Sequence, residues 1–146
     1  MLAFLGVKGA LPELAHHTLL FSKDWTPDFR AVYHGPEASR PLGASQSIYV
    51  SKTSATDSSV APDGYENLFI LVPVPADESY GHGDAYGPEE SARVSAIANA
   101  AVAQLGSWLG IEDLEGRVVV KRTLGPSDFA EPVSYTHLRA HETDSY

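Results

Sequence analysis

The chain contains no cysteine, which excludes a disulfide framework, a thiolate metal site and a thiol nucleophile. Basic residues are scarce: ten Lys and Arg stand against nineteen Asp and Glu, for a formal charge of −9. Phosphate backbones are bound by basic faces, so this balance argues against nucleic acid and gives no attraction toward anionic lipid. Any membrane contact therefore has to be apolar. The cations are scattered singly (Lys8, Lys23, Arg30, Arg40, Lys52), which predicts a solvated distribution. No apolar run approaches the roughly 18 residues of a spanning helix. The opening MLAFLGVKGALPEL has a short apolar core and no basic leader, so it does not read as a secretion signal, and a soluble, cytoplasmic segment is expected. With 146 residues, 43% of them hydrophobic, the chain is one domain or a piece of one, large enough to bury a core.

What is present is organised around Ser47–Pro75. Ser47–Lys52 alternates apolar and polar residues, a strand with one buried face. Asn67–Val72 is apolar almost throughout, which predicts a strand inside a sheet with both faces covered. Pro73 and Pro75 lack the N–H that ladder pairing needs, and Pro62-Asp63-Gly64 between the strands is turn chemistry. Met1–Val7 reads as a strand entered midway, which points to a fragment; His16–Ser22 is a further strand. Thr26 as N-cap, Pro27 and Asp28 open a short helix that places Phe29, Val32 and Tyr33 on one inner face. Residues 35–46 read as loop, Ala76–Gly87 as a surface loop and Gly81–Gly87 within it as flexible. A long amphipathic helix is predicted from Pro88 to Leu109, with Glu89 and Glu90 in its first turn. Its apolar stripe is Val94, Ile97, Ala98, Ala101, Val102, Leu105, Trp108 and Leu109, and Gly110 closes it. Arg117–Arg122 is a strand and Gly125–Glu131 a helix onset.

The run SIYVSKTSATDSSVAPDGYENLFILVPVP resembles the corresponding run of bacterial phytoene desaturases, FAD-dependent carotenoid desaturases related to amine oxidases. FLGVKGALPELAHHTLLFSKDW upstream and EDLEGRVVVKRTLGPSDFAE downstream resemble the same family in the same order, so the resemblance spans about Met1–Glu131. It implies an internal fragment of the substrate-side domain of a two-domain FAD-dependent oxidoreductase: α+β, a mixed sheet with covering helices. The parent is implied to introduce double bonds into phytoene or a related carotenoid precursor, with hydride passing to the flavin and a proton lost from the neighbouring carbon. The substrate offers no charge or hydrogen-bonding group, so its selection rests on an apolar tunnel. The parent is accordingly expected at the inner face of the membrane, bound peripherally. Neither of the family's flavin-contacting motifs is found here, and no flavin is expected on this chain alone. Residues 132–146, PVSYTHLRAHETDSY, lack an apolar period and resemble translated adapter read-through; they are expected to be a non-native tail.

Candidate chemistry is sparse. His16 and His17, as strand neighbours, should face opposite ways and cannot share a metal from regular β geometry; the resemblance makes them candidates for a substrate cavity. Tyr49 and Phe69 are core residues first and cavity lining second. Gly81-His82-Gly83-Asp84-Ala85-Tyr86-Gly87 mimics a dinucleotide fingerprint, but its spacing is wrong and it follows a proline-ended strand. Gly43–Ser47 misses the nucleophile elbow at its last position. Asp57 and Asp63, with the serines and threonines of 51–59, are explained by capping and turn bonding. No catalytic, flavin-binding or metal-ligating residue is assigned. In a flavoenzyme the cofactor carries the reactive centre and the protein supplies binding and orientation. The alternatives are another polyene-acting or amine-oxidase-like flavoenzyme or, in a different class, a free-standing non-catalytic binding module.

Overall fold

The computed structural model describes residues 1–34 and 46–130. The predicted 35–46 loop (Gln46 apart), most of the Gly43–Ser47 segment and the predicted tail lie outside the described residues. Five strands form one sheet: β1 (Leu2–Lys8), β2 (His17–Leu20), β3 (Ile48–Ser51), β4 (Tyr65–Leu71) and β5 (Val118–Leu124), in the order β2-β3-β4-β1-β5. Among the described residues four α-helices accompany them: α1 (Thr26–Tyr33), α2 (Ala92–Leu109), α3 (Leu114–Arg117) and α4 (Pro126–Ala130).

The architecture is α+β, but every pairing is antiparallel, which corrects the expected mixed sheet. The reason is topological. The connection through α2 joins β4 to β5, and β1 lies between them, antiparallel to both. The two strands therefore run the same way without hydrogen bonding to each other.

Strand periodicity of two sorts the side chains between the faces. Ala3, Leu5 and Val7 of β1, Ile48 and Val50 of β3, and Leu68 and Ile70 of β4 all enter the core, together with Val72. They meet Val94, Ala98, Ala101, Val102 and Leu105 of α2. Complete burial of a valine, leucine or isoleucine contributes about 1.5–3 kcal/mol before conformational entropy is counted, so this single helix–sheet layer is the main source of stability. The expectation that both faces of β4 are covered is corrected. Leu68 and Ile70 are buried, whereas Phe69 is only half-buried and Leu71 is exposed.

The helix ends also differ from expectation. α2 starts at Ala92, because the Ser91 hydroxyl accepts the Val94 N–H at 3.1 Å and so caps the helix. Glu89 and Glu90 therefore precede the helix. Glu90 instead accepts from the Thr123 hydroxyl at 2.6 Å and pairs with Lys121 at 3.4 Å. The C-terminus is as expected, with Gly110 left-handed at φ 66°. Trp108 lies on the apolar stripe but is exposed; near it, Gly106 packs against Leu114 of α3. In α1 the N-cap is Trp25 rather than Thr26, whose N–H is taken by the Asp24 carboxylate. Its predicted inner face is not inner: Phe29 and Tyr33 are exposed and stack on each other with centroids 6.2 Å apart. Their i, i+4 spacing gave them a common side without fixing which way that side points.

Lys52 is buried, not solvated. Its ammonium donates to the Leu11 carbonyl at 2.7 Å and lies 4.0 Å from Glu66. The predicted surface loop Ala76–Gly87 is held to its neighbours by side-chain bonds. Asp128 of α4 accepts the N–H groups of Gly83 and Gly125, both at 2.7 Å, and Asp84 accepts the Thr123 N–H at 2.8 Å. Tyr80 is buried beneath the Arg93 guanidinium, 3.6 Å from the ring centroid.

Candidate functional site

The face of the sheet opposite α2 is the unusual surface of this molecule. Directly paired residues share a face, so the register aligns Leu19, Tyr49, Leu71 and Leu2 in one row across β2-β3-β4-β1. The next row holds His17, Ser51, Phe69 and Phe4, with Arg122 of β5 beside Phe4. A solvated sheet face normally carries polar residues. Here Leu19 is 60% exposed, Val120 53%, and Phe4 and Leu71 each 37%. Scattered apolar residues on a surface need no explanation, but a contiguous apolar face does.

Aromatic rings run across this face in sequence. Phe4 meets Phe69 edge-on at 5.5 Å, Phe69 meets Tyr49 edge-on at 6.1 Å, and Tyr49 stacks on His17 at 5.9 Å. His16 continues the series, 4.3 Å from His17. Strands lie about 4.8 Å apart, so rings from four neighbouring strands make one uninterrupted platform. At the other end, Gly6 leaves space between Asn67 and Val120; a Cβ there would sit 3.3 Å from the Val120 Cβ. A groove of about 330 Å³ opens at that point, lined by Phe4, Gly6, Val60, Tyr65, Asn67 and Val120. The register shift between Gly6 and Val7 falls at the same position, where a bulge re-aims side chains.

His17, Tyr49 and Phe69 share this face. His16 stands just before β2 rather than in it, so the alternation expected of strand neighbours does not apply, and the two imidazoles lie close together. Their polar contacts are separate: Nδ1 of His16 bonds the Thr56 hydroxyl and Nδ1 of His17 the Tyr49 hydroxyl, each at 2.7 Å. Among the described residues no group of three or more His, Asp or Glu side chains is arranged to hold a metal ion. Sequence reading missed Phe4, Leu2, Gly6, Leu19 and Leu71. For the first strand the signal was present in LAFLGV, where Leu2, Phe4 and Gly6 alternate with the equally apolar Ala3, Leu5 and Val7.

The carboxylates whose ionisation is shifted lie outside the ring series and serve the fold, Asp84 pairing at 3.1 Å with Arg122 at the edge of the face. Burial pushes the Asp84 carboxyl up, but the Thr123 N–H and the Arg122 guanidinium outweigh it and hold the group below its ordinary range. Burial likewise opposes ionisation of Glu90, and bonds from Thr123, Ser95 and Lys121 reverse the balance. Asp57 accepts the N–H and hydroxyl of Ser59, at 2.9 and 2.6 Å, and is lowered by them. This is the capping role its sequence context predicts. Asp63 belongs to the turn in which the Tyr65 N–H bonds the Pro62 carbonyl at 3.0 Å.

The glycine-rich segment does not fit a flavin pyrophosphate. A Cβ on Gly83 would overlap the Thr123 carbonyl, and one on Gly125 the Gly81 carbonyl. These glycines are required where backbone packs on backbone. The N–H groups of Gly83 and Gly125 are spent on the Asp128 carboxylate, whose charge would repel a phosphate. No helix begins until Ala92.

No protein-family profile matches the chain. Similar curated proteins include several carotenoid desaturases. The chain is 33% identical over 135 residues to the carotenoid 3,4-desaturase of Haloarcula japonica, covering 92% of this chain and 24% of that protein. It is 34% identical over 127 residues to the zeta-carotene-forming phytoene desaturase of Myxococcus xanthus, covering 87% and 22%. With the lycopene-forming phytoene desaturase of a Paracoccus species it shares 30% over 139 residues, covering 95% and 26%. Over most of its own length the chain is similar to a piece of a phytoene desaturase-like protein, and it spans about a quarter of the length of the curated relatives it matches.

Proposed function

We propose that residues 1–131 form part of the substrate-side domain of an FAD-dependent desaturase that introduces double bonds into phytoene or a related carotenoid precursor. The observation that carries the proposal is the open apolar platform of Phe4, Phe69, Leu71 and Tyr49, in a chain similar to enzymes of that name. A linear hydrocarbon offers nothing to hydrogen bond, so its binding rests on apolar area, at about 0.8 kcal/mol for each buried CH₂. A sheet that stays aromatic and aliphatic on its outer face supplies such a wall, and the His16, His17, Tyr49 and Phe69 rings are its cavity-lining side chains. FAD supplies the redox chemistry when bound, and we assign its site to parts of the parent outside this chain. Membrane contact is assigned to the parent, which draws its substrate from lipid at the inner face. Residues 132–146 are set aside as a non-native tail, which the source DNA on either side of them tests.

The proposal is tested with a fluorescent linear polyene, octadecatetraene, delivered from detergent micelles. Its emission should rise on binding the purified chain, and Phe69→Glu should abolish the rise while circular dichroism stays unchanged. Equal binding to the wild type and this variant would remove the platform from consideration. A free-standing binding module is favoured instead if a ribosome-binding site directly precedes Met1 in the source DNA.

A further inference from the structure

The row of rings is not uniform. From Phe4 through Phe69 it is hydrocarbon, and toward β2, one of the two edge strands, it ends in a hydrogen-bonded polar pair. Nδ1 of His17 lies 2.7 Å from the Tyr49 hydroxyl, with the rings stacked at 5.9 Å. That bond engages one ring nitrogen only. Among the described residues the Nε2 atom of His17 has no hydrogen-bond partner, while the neighbouring imidazole of His16 is engaged by Thr56.

His17 is exposed, so its Nε2 is open to solvent while the face is uncovered. An apolar guest lying along the rings shuts that solvent out, and a polar group left dry and unpaired weakens binding. A guest that carries a matching polar group at that position avoids the loss. If the Tyr49 hydroxyl donates to Nδ1, Nε2 carries the proton and donates. If Nδ1–H donates to the Tyr49 oxygen, Nε2 accepts. A hydroxyl group, donor and acceptor at once, satisfies either tautomer; an ether or a carbonyl oxygen satisfies only one.

We propose that His17, held by Tyr49, is a specificity-determining residue that reads a hydroxyl on the end of a linear polyene whose hydrocarbon lies over Phe69 and Phe4. The proposal rests on the reading of this face as a polyene wall and adds which substrates it prefers: chains bearing a terminal alcohol over the bare hydrocarbon. Tyr49 acts through His17 and is a positioning residue.

The test compares octadecatetraenol with octadecatetraene on the purified chain, by fluorescence titration from the same micelles. The alcohol should bind about fivefold more tightly, the equivalent of about 1 kcal/mol for one hydrogen bond. His17→Leu should bring the ratio of alcohol to hydrocarbon affinity to about one, the ratio and not either affinity alone being the readout, because the His17 ring itself lines the wall. A merely structural role would weaken both ligands together. Should His17→Leu not fold, Tyr49→Phe keeps the ring and removes only the hydroxyl that orients His17; it should reduce the preference with the hydrocarbon still bound. Equal affinities in the wild type, or a preference that survives these substitutions, overturns the role of His17 and leaves the wall intact. Failure of the hydrocarbon itself to bind overturns the wall, and this inference with it.

Discussion

Leu68 and Phe69 are consecutive in β4 and point to opposite faces, so truncating each to alanine should produce opposite outcomes. Leu68 is 1% exposed and belongs to the core beneath α2. Removing its buried methyl groups from a site that collapses only partly costs about 2–5 kcal/mol. Phe69 is half-buried, with edge contacts to Phe4 at 5.5 Å and Tyr49 at 6.1 Å. Such pairs are worth about 0.5–1.5 kcal/mol each when fully formed, so Phe69→Ala should cost about 1–2 kcal/mol in this half-exposed setting. The assay is urea unfolding followed by circular dichroism. With a slope of about 1.5 kcal/mol per molar, Leu68→Ala should lower the midpoint by about 1.5–3 M and Phe69→Ala by about 1 M. Octadecatetraene binding should show the reverse order, lost in Phe69→Ala and kept by Leu68→Ala wherever it remains folded. Equal midpoint losses would mean that the outer face is a second closed core, which would refute the open platform.

Other outcomes follow from the contacts around β5. Asp84 and Glu90 are held below their ordinary range in the folded chain, so their contribution is complete above about pH 5 and is lost as pH falls through their folded values. Asp84→Asn should flatten the acid limb of a stability–pH profile, and an unchanged limb would contradict the role of the Thr123 and Arg122 bonds. Gly83→Ala should destabilise the chain, because its Cβ would overlap the Thr123 carbonyl; unaltered thermal unfolding would show that the loop yields. Ser91→Ala removes the α2 cap and should cost about 1 kcal/mol by urea unfolding. The purified chain should carry no stoichiometric yellow chromophore, and a flavin absorbance spectrum at one equivalent would contradict the assignment of FAD to other parts of the parent.

Local chemistry made much of this fold legible. The alternation of β3, the β-branched run of β5, the Pro62-Asp63-Gly64 turn and the Gly110 cap each follow from short-range rules that the tertiary structure leaves unopposed. What periodicity cannot supply is the identity of the neighbour. It grouped Phe29 with Tyr33 without telling an inner from an outer face, and it read the apolar run of β4 as doubly covered when one face is open. The start of α2 moved because Ser91 competes as a cap and Thr123 and Lys121 take Glu90, contacts some thirty residues away in sequence. The same limit applies to the platform. Tyr49, Phe69 and His17 could be singled out separately, but Phe4 joins them only through the β1–β4 register. Two of the lysines illustrate it at single-residue scale: Lys8 is exposed, whereas Lys52 is buried against the Leu11 carbonyl.

The most direct test of the platform is residue-resolved. Amide and aromatic NMR shifts of the labelled chain should be followed while octadecatetraene is added from micelles, with empty micelles as the reference. The largest changes should fall on Phe4, Tyr49, Phe69 and Leu71, with Val94, Ala98 and Leu105 of α2 little affected. Changes centred on α2, or none beyond those caused by empty micelles, would contradict a sheet face built to hold an apolar chain.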